Sequence, residues 1–375
     1  MQNELKETVI TRRTFIASSS AAAAFAGIRT SLAANTGLKE VEARFYEKKP
    51  GKTVKCLLCP WSCTVPEGHR GKCGVRENRG GRYYSLVYGR LVARNNDPIE
   101  KKPLFHVYPG SRTYSIATVG CNIHCKFCQN WEISQADPKK VSVPYMSPEK
   151  LVSTAKKNKG TKTIAYTYNE PTVFSEYILD CAKVASEHGL GNVMISNGFI
   201  AGKPLEEICA RMTAIKIDLK AFSEEFYSNI CSGKLKPVLN TLKRIADSNA
   251  WLEIVMLIIP SLNDDMDKIK EMSGWIVKEL GNNVPLHFTR FHPQYKVRNL
   301  PPTPVKTLQE ARGAAMKEGC NFVYTGNTPD VDSASTYCPE CGEKIVRRYR
   351  MFLMNNSLKE NKCHNCSANI PGIWT

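Results

Sequence analysis

The sequence predicts an α/β protein built on a parallel sheet, and three observations carry that prediction. From residue 119 to about 326, short β-branched runs alternate with longer amphipathic stretches. Helix punctuation, with Pro early and Gly late, falls between those runs. The strand–helix–strand unit recurs about six times, which implies right-handed crossovers. An open doubly wound sheet and a full or partial barrel both satisfy this pattern. In either, chemistry collects at the C-terminal ends of the strands. A chain of 375 residues allows a core of roughly 200 to 250 residues plus one or two appendages.

The elements follow in order. Residues 114–119 read as the first strand and 163–168 as the second, with a helix between them opened by Ser147 at its cap and Pro148 at its first position. Residues 171–188 read as a helix closed by Gly189. Strands follow at 192–196, 214–219, 252–259, 286–291 and 321–325, and helices at 261–280 and 305–317 lie between the last of them. The run 251–260 is the longest apolar one, but Glu253 interrupts it and its length is that of a buried strand, so no membrane span is expected.

Two flanks differ in texture. Residues 35–109 carry a group of cysteines and several Gly, and 327–375 carry another group and end in Ile370-Pro371-Gly372-Ile373-Trp374. Neither builds much core alone, so metal staples are expected there. At the N-terminus, Arg12-Arg13 precede a short Ala/Ser-rich apolar stretch and then Ser31-Leu32-Ala33-Ala34, the order of a twin-arginine signal; an Ala/Ser-rich tail with a chance Arg pair is the alternative. The expected organisation is a signal over 1–34, a Cys-rich region over 35–109, a core over 110–326 and a C-terminal module over 327–375. Folding in the cytoplasm followed by export to the periplasm is the expectation that goes with the signal.

Hydrophobic residues make up 42% and charged residues 23%, which excludes a disordered or fibrous chain. Lys and Arg exceed Asp and Glu by 17, so a polyanionic partner is open, nucleic acid included. The 15 cysteines are an odd number and cannot all pair within one chain. Eleven fall in three groups: Cys56, Cys59, Cys63 and Cys73; Cys121, Cys125 and Cys128; Cys338, Cys341, Cys363 and Cys366. Cys181, Cys209, Cys231 and Cys320 stand alone and read as small packing residues.

The first strand runs through Gly120 directly into Cys121-Asn122-Ile123-His124-Cys125-Lys126-Phe127-Cys128. Three thiolates on one loop suit a cubane [4Fe-4S] cluster and leave its fourth iron open, as a catalytic zinc keeps an open position. A three-Cys zinc site completed by His124 is the rival, although His124 beside Cys125 points poorly at a shared ion. The C-terminal group forms two CxxC knuckles 21 residues apart and reads as a structural Zn2+ ribbon, with a four-thiolate iron–sulfur cluster as the rival. The N-terminal group, spaced x2, x3 and x9, favours a metal site whose metal stays open; disulfides are the alternative.

The cluster motif resembles the radical SAM superfamily signature CxxxCxΦC, with Phe127 in the aromatic place. The resemblance implies a partial (βα)6 TIM-like barrel, and a cluster that binds S-adenosylmethionine and cleaves it to a 5′-deoxyadenosyl radical, fed by a low-potential electron donor. Further strand ends extend it. Glu170 matches the acidic end of the family's Gly-Gly-Glu segment, while Tyr168 and Asn169 stand where it has two glycines. Ser196-Asn197-Gly198-Phe199 is similar to the Thr-Asn-Gly-Phe of glycyl-radical activases, with Ile195 where those have an acid. Asp218-Leu219-Lys220 matches their Asp-Leu-Lys, and His292 resembles their ribose-contacting His. Phe127, Glu170, Ser196, Asn197, Asp218, Lys220 and His292 are therefore the implied cofactor residues. The flanking Cys-Leu-Leu-Cys-Pro-Trp-Ser-Cys block and the Tyr-Asn-Glu-Pro-Thr and His-Phe-Thr-Arg-Phe-His-Pro segments resemble the AmmeMemoRadiSam group, which implies Memo-type and AMMECR-type partners. An Fe–S/zinc protein that binds or modifies RNA is the alternative function.

Overall fold

The computed structural model describes residues 41–375; the expected signal, 1–34, lies outside the described residues. The described residues form one compact unit. The chain begins with two small antiparallel sheets. One pairs β1 (Val41–Glu42) and β5 (Arg76–Arg79) on either side of β6 (Arg82–Ser85), and the other runs β2 (Tyr46–Lys49), β3 (Thr53–Cys56), β4 (Thr64–Val65).

The central sheet has eight strands: β7 (Ala93–Pro98), β8 (Arg112–Ala117), β9 (Thr161–Tyr166), β10 (Gly191–Ser196), β11 (Ala214–Asp218), β12 (Trp251–Ile258), β13 (Leu286–Arg290) and β14 (Val323–Gly326). They lie in strict chain order; β8 to β14 are parallel, and β7 joins β8 antiparallel. A strand order that never reverses has no topological switch point, which removes the doubly wound option. Right-handed crossovers of one sense then carry every helix to the same face, the winding of a barrel left open between β7 and β14.

The crossover helices are α1 (Pro148–Lys157), α2 (Ser175–Glu187), α3 (Gly202–Cys209), α4 (Leu235–Ala246), α5 (Met266–Leu280) and α6 (Val305–Lys317). Local chemistry sets their ends. The Ser147 hydroxyl accepts from Lys150 N at 3.2 Å ahead of Pro148, and Asp265 caps α5 by accepting from Asp267 N and Lys268 N. The helix expected over 171–188 is split: a 3₁₀ turn, Pro171–Phe174, precedes α2, because the Glu170 side chain caps Thr172 N. Val193, Ile215, Ile217, Ile254 and Phe288 are buried, as expected of strands covered on both faces.

Strand β7 escapes the sequence reading because Ala-Arg-Asn-Asn-Asp-Pro lacks an apolar alternation; as an edge strand it needs only backbone pairing with β8. It also takes the 35–109 stretch into the core sheet. At the other end of the chain, β15 (Thr336–Tyr337), β16 (Lys344–Tyr349) and β17 (Phe352–Asn356) form a small antiparallel sheet. The fully buried Arg348 of β16 donates to Phe105 O at 2.5 Å and to Thr336 Oγ1 at 2.8 Å. The last residues return to the same place, with Ile373 N donating to His106 O at 2.7 Å. Glu253, near the start of β12, accepts from Phe105 N, His106 N and the His287 ring. The module thus docks toward the N-terminal ends of the strands, away from the loop that follows β8.

Candidate active site

The 121–128 loop begins where β8 gives out, and Gly120 makes the exit possible. Its φ is +96°, and a Cβ there would lie 2.4 Å from Val75 Cγ1 and 3.1 Å from Cys73 O. Neighbouring strand ends clamp the loop. Asn169 Nδ2 donates to Gly120 O at 2.8 Å, Asn122 Nδ2 donates to Phe199 O at 2.7 Å, and Trp61 Nε1 donates to Asn122 O at 2.7 Å. His124 N and Lys126 N donate to Cys231 O and Ile230 O, both at 2.9 Å, from a π-helical turn, Tyr227–Cys231. Lys296 N donates to Lys126 O at 2.9 Å. Tyr168 takes φ +69°, the left-handed backbone natural to a glycine.

Cys125 is buried, and Cys121 and Cys128 are half-buried. Among the described residues, Cys338, Cys341, Cys363 and Cys366 are the only group of three or more His, Cys, Asp or Glu whose ligand atoms all lie within 4.8 Å of one another. The three loop thiols are spread more widely than one ion allows, and a multi-iron cluster fits that donor set. In the C-terminal group, Cys338 and Cys366 sulfurs are 3.6 Å apart, and Cys341 and Cys363 sulfurs 3.7 Å. A tetrahedral ion with Zn–S near 2.3 Å sets its sulfurs about 3.8 Å apart, so that group is compatible with a zinc-ribbon-like module.

Around the loop the predicted residues fall into two sets. In the first, Asn197 Nδ2 lies 3.7 Å from Cys121 Sγ and donates to Asn122 Oδ1 at 2.9 Å, while its Oδ1 accepts from Phe199 N at 2.8 Å. Glu170 Oε1 accepts from Thr172 N at 3.0 Å, Thr172 Oγ1 at 2.6 Å and Ser196 Oγ at 2.7 Å, and Oε2 accepts from Asn197 N at 2.8 Å. Burial pushes the Glu170 carboxyl above the usual carboxylate range, against the pull of those donors. The carboxylate therefore ties the end of β9 to that of β10.

In the second set, Asp218 stands between two ammonium groups, Lys216 Nζ in a short contact and Lys220 Nζ at 2.9 Å. Burial opposes its charge, but Lys216 and then Lys220 outweigh it and hold the carboxyl down at about 2. Lys220 Nζ also lies 6.0 Å from the centre of the buried Phe127 ring. The thiol of Cys231 hydrogen-bonds Cys125 and, with Lys220 adding to it, lowers the Cys125 pKa. Both sets come from the C-terminal ends of β8 to β11. His292 is exposed, two residues beyond β13.

Sequence reasoning missed four residues of this neighbourhood. Lys216 sits inside a strand, Asn122 hides between two cysteines, Ser134 Oγ lies 3.4 Å from Cys128 Sγ, and Cys231 contacts Cys125 besides packing. Only Asn122, flanked by the motif itself, carried a readable signal.

Comparison with known proteins places this geometry. The family model described as "Radical SAM superfamily" matches residues 115–272. The Methanocaldococcus jannaschii protein MJ0808 is 42% identical over 331 residues, covering 88% of this chain and 98% of its own. Pyruvate formate-lyase 1-activating enzyme of Escherichia coli K12 is 20% identical over 221 residues, 55% of this chain and 89% of its own. Pyruvate formate-lyase-activating enzyme of Clostridium pasteurianum is 21% identical over 185 residues, 49% of this chain and 76% of its own. The chain belongs to the radical SAM superfamily, as an enzyme related to pyruvate formate-lyase activating enzymes, and that membership implies a [4Fe-4S] cluster and S-adenosylmethionine.

Proposed function

We propose that Cys121, Cys125 and Cys128 hold the [4Fe-4S] cluster, and that the enzyme uses it to abstract a hydrogen atom from a substrate that includes a residue of a partner protein. When bound, the cluster supplies the electron for reductive cleavage of S-adenosylmethionine. The observation that carries this reading is the ring of polar side chains that successive strand ends set around the three thiols.

Each has a distinct task. Asn197 orients Cys121 through its amide. Glu170 holds the ends of β9 and β10 together, and its Oε2, with a single protein donor, is the oxygen with room for the cofactor's ammonium. Lys220 and Asp218 offer a cation and an anion to the charged ends of the cofactor, with Lys216 fixing Asp218, and Phe127 packs beneath. Ser196 keeps Glu170 in place, and the exposed His292 reaches the ribose only on cofactor binding.

The four C-terminal cysteines hold Zn2+ in this reading, supported by their sulfur spacing. Association with Memo-type and AMMECR-type proteins, and export by the twin-arginine route, rest on sequence resemblance alone. Reconstituted full-length enzyme, incubated without oxygen with S-adenosylmethionine and dithionite, is expected to release 5′-deoxyadenosine. Cluster-loaded enzyme that releases none overturns the reading. Deuterium carried from a labelled Memo-type protein into 5′-deoxyadenosine would identify the hydrogen donor, and replacing Arg12 and Arg13 by Lys should retain the protein in the cytoplasm.

A further inference from the structure

We propose that Cys56, Cys59, Cys63 and Cys73 hold a second iron–sulfur cluster, separate from that of the 121–128 loop. The chain brings them together from two turns. Cys56 closes β3, and its N–H donates to Cys63 O at 2.8 Å; within the turn Ser62 N donates to Cys59 O at 3.0 Å. Cys73 arrives on the loop before β5, where Gly74 N donates to Gly71 O at 2.9 Å. All four line one small cavity, walled also by Leu58, Trp61 and Val173.

Two observations beyond the cysteines point to an occupant. The fully buried Arg76 and Tyr83 line the same cavity, and Arg76 Nε and the Tyr83 hydroxyl have no hydrogen-bond partner among the described residues. Leaving a buried donor unpaired costs about 1–3 kcal/mol, and cluster sulfurs accept such donors. The rest of the Arg76 guanidinium is taken by Glu176, at 3.0 and 2.5 Å, and by Ser175 Oγ at 3.3 Å, so the spare Nε is a directed donor on a charge already balanced. Gly71 keeps the space clear: a Cβ there would lie 2.6 Å from the Tyr83 oxygen and 3.8 Å from Cys63 Sγ.

The spread of the thiols selects the kind of metal group. A single zinc gathers its four sulfurs about 3.8 Å apart, as the C-terminal group is gathered, and these four do not close to 4.8 Å. None of the four is joined in a disulfide. The cavity shares a wall with the 121–128 loop, since Trp61 both lines it and donates to Asn122 O. The proposal stands independently of the reading of that loop.

The test counts metal rather than activity. The full chain carrying Cys121→Ala, Cys125→Ala and Cys128→Ala, reconstituted without oxygen with iron and sulfide, is expected to keep stoichiometric iron and acid-labile sulfide, with a thiolate-to-iron absorption that bleaches on reduction. The complementary variant, Cys56→Ser with Cys59→Ser, should lose that share and keep the iron of the loop, which covers the case in which the triple variant does not fold. A triple variant that folds but holds no iron, or a wild-type protein with two zinc ions and the iron of only one cluster, overturns the proposal. Iron in the triple variant together with no 5′-deoxyadenosine from the wild type would sink the proposed activity and leave this site standing.

Discussion

Asp218 is bracketed by Lys216 and Lys220, which sets three charges together at the end of β11. Removing the anion leaves Lys216, only 4% exposed, without a counter-charge. Asp218→Asn is therefore expected to cost about 2 kcal/mol of stability and to suppress 5′-deoxyadenosine formation at least tenfold, read by thermal unfolding and by product assay. The same pairing has a pH signature. The folded carboxyl titrates at about 2, below its unfolded value, so its contribution is complete above roughly pH 4 and is lost as pH falls from there toward 2. Asp218 and Lys220 were legible because they sit just where a β-branched run ends. Lys216 was not: a lysine between two isoleucines reads as a solvent-facing strand position, and only the closure of the sheet around it buries the ammonium.

Among the elements, the turn from β8 into the 121–128 loop has the least tolerance. Gly120 combines a left-handed-side φ with a backbone approach to Val75 and Cys73. Gly120→Ala is expected to cost about 2 kcal/mol or more and to lower iron occupancy of the full-length protein, checked by iron per chain after reconstitution. A variant with full iron and unchanged thermal stability would show that the loop has slack. The strands were legible to within a few residues, because runs buried on both faces must be apolar throughout. Strand β7 and the π-helical turn Tyr227–Cys231 were not. The first is held by edge pairing and the second by backbone contacts to the 121–128 loop, and neither leaves a periodic trace in its own residues.

For the whole molecule, the docking of the C-terminal module depends on a histidine kept neutral. The His106 ring lies 2.6 Å from Pro371 O through Nδ1 and 2.6 Å from the Tyr324 hydroxyl through Nε2, so the neutral form donates to the first and accepts from the second. Burial lowers its pKa to about 4. Between about pH 6.5 and 4 the unfolded chain binds this proton and the folded one does not, so stability falls with acidification across that window, by about 3 kcal/mol in all. His106→Gln should flatten that part of the stability–pH curve, measured as melting temperature from pH 7 to 4.5. Metal removal acts at the same scale: a zinc chelator is expected to lower the melting temperature and release β15 to β17 to proteolysis first.

The sequence by itself determined the alternation of strands and helices, the three cysteine groups and the polar residues at strand ends, because periodicity, caps and ligand spacing are local properties of the chain. The alternation alone left barrel and doubly wound sheet open; the motif resemblance implied the barrel, and only the tertiary structure, through the observed strand order, decided for it, since strand order is a long-range choice that both patterns satisfy. It also separated the cysteine groups, gathering one to the spacing of a single ion and leaving the other two spread, because sulfur–sulfur distances depend on how distant turns meet. The burial of Lys216 and Arg76 belongs with these: a charge shows its partner only when the fold brings residues 2 or 100 positions away against it.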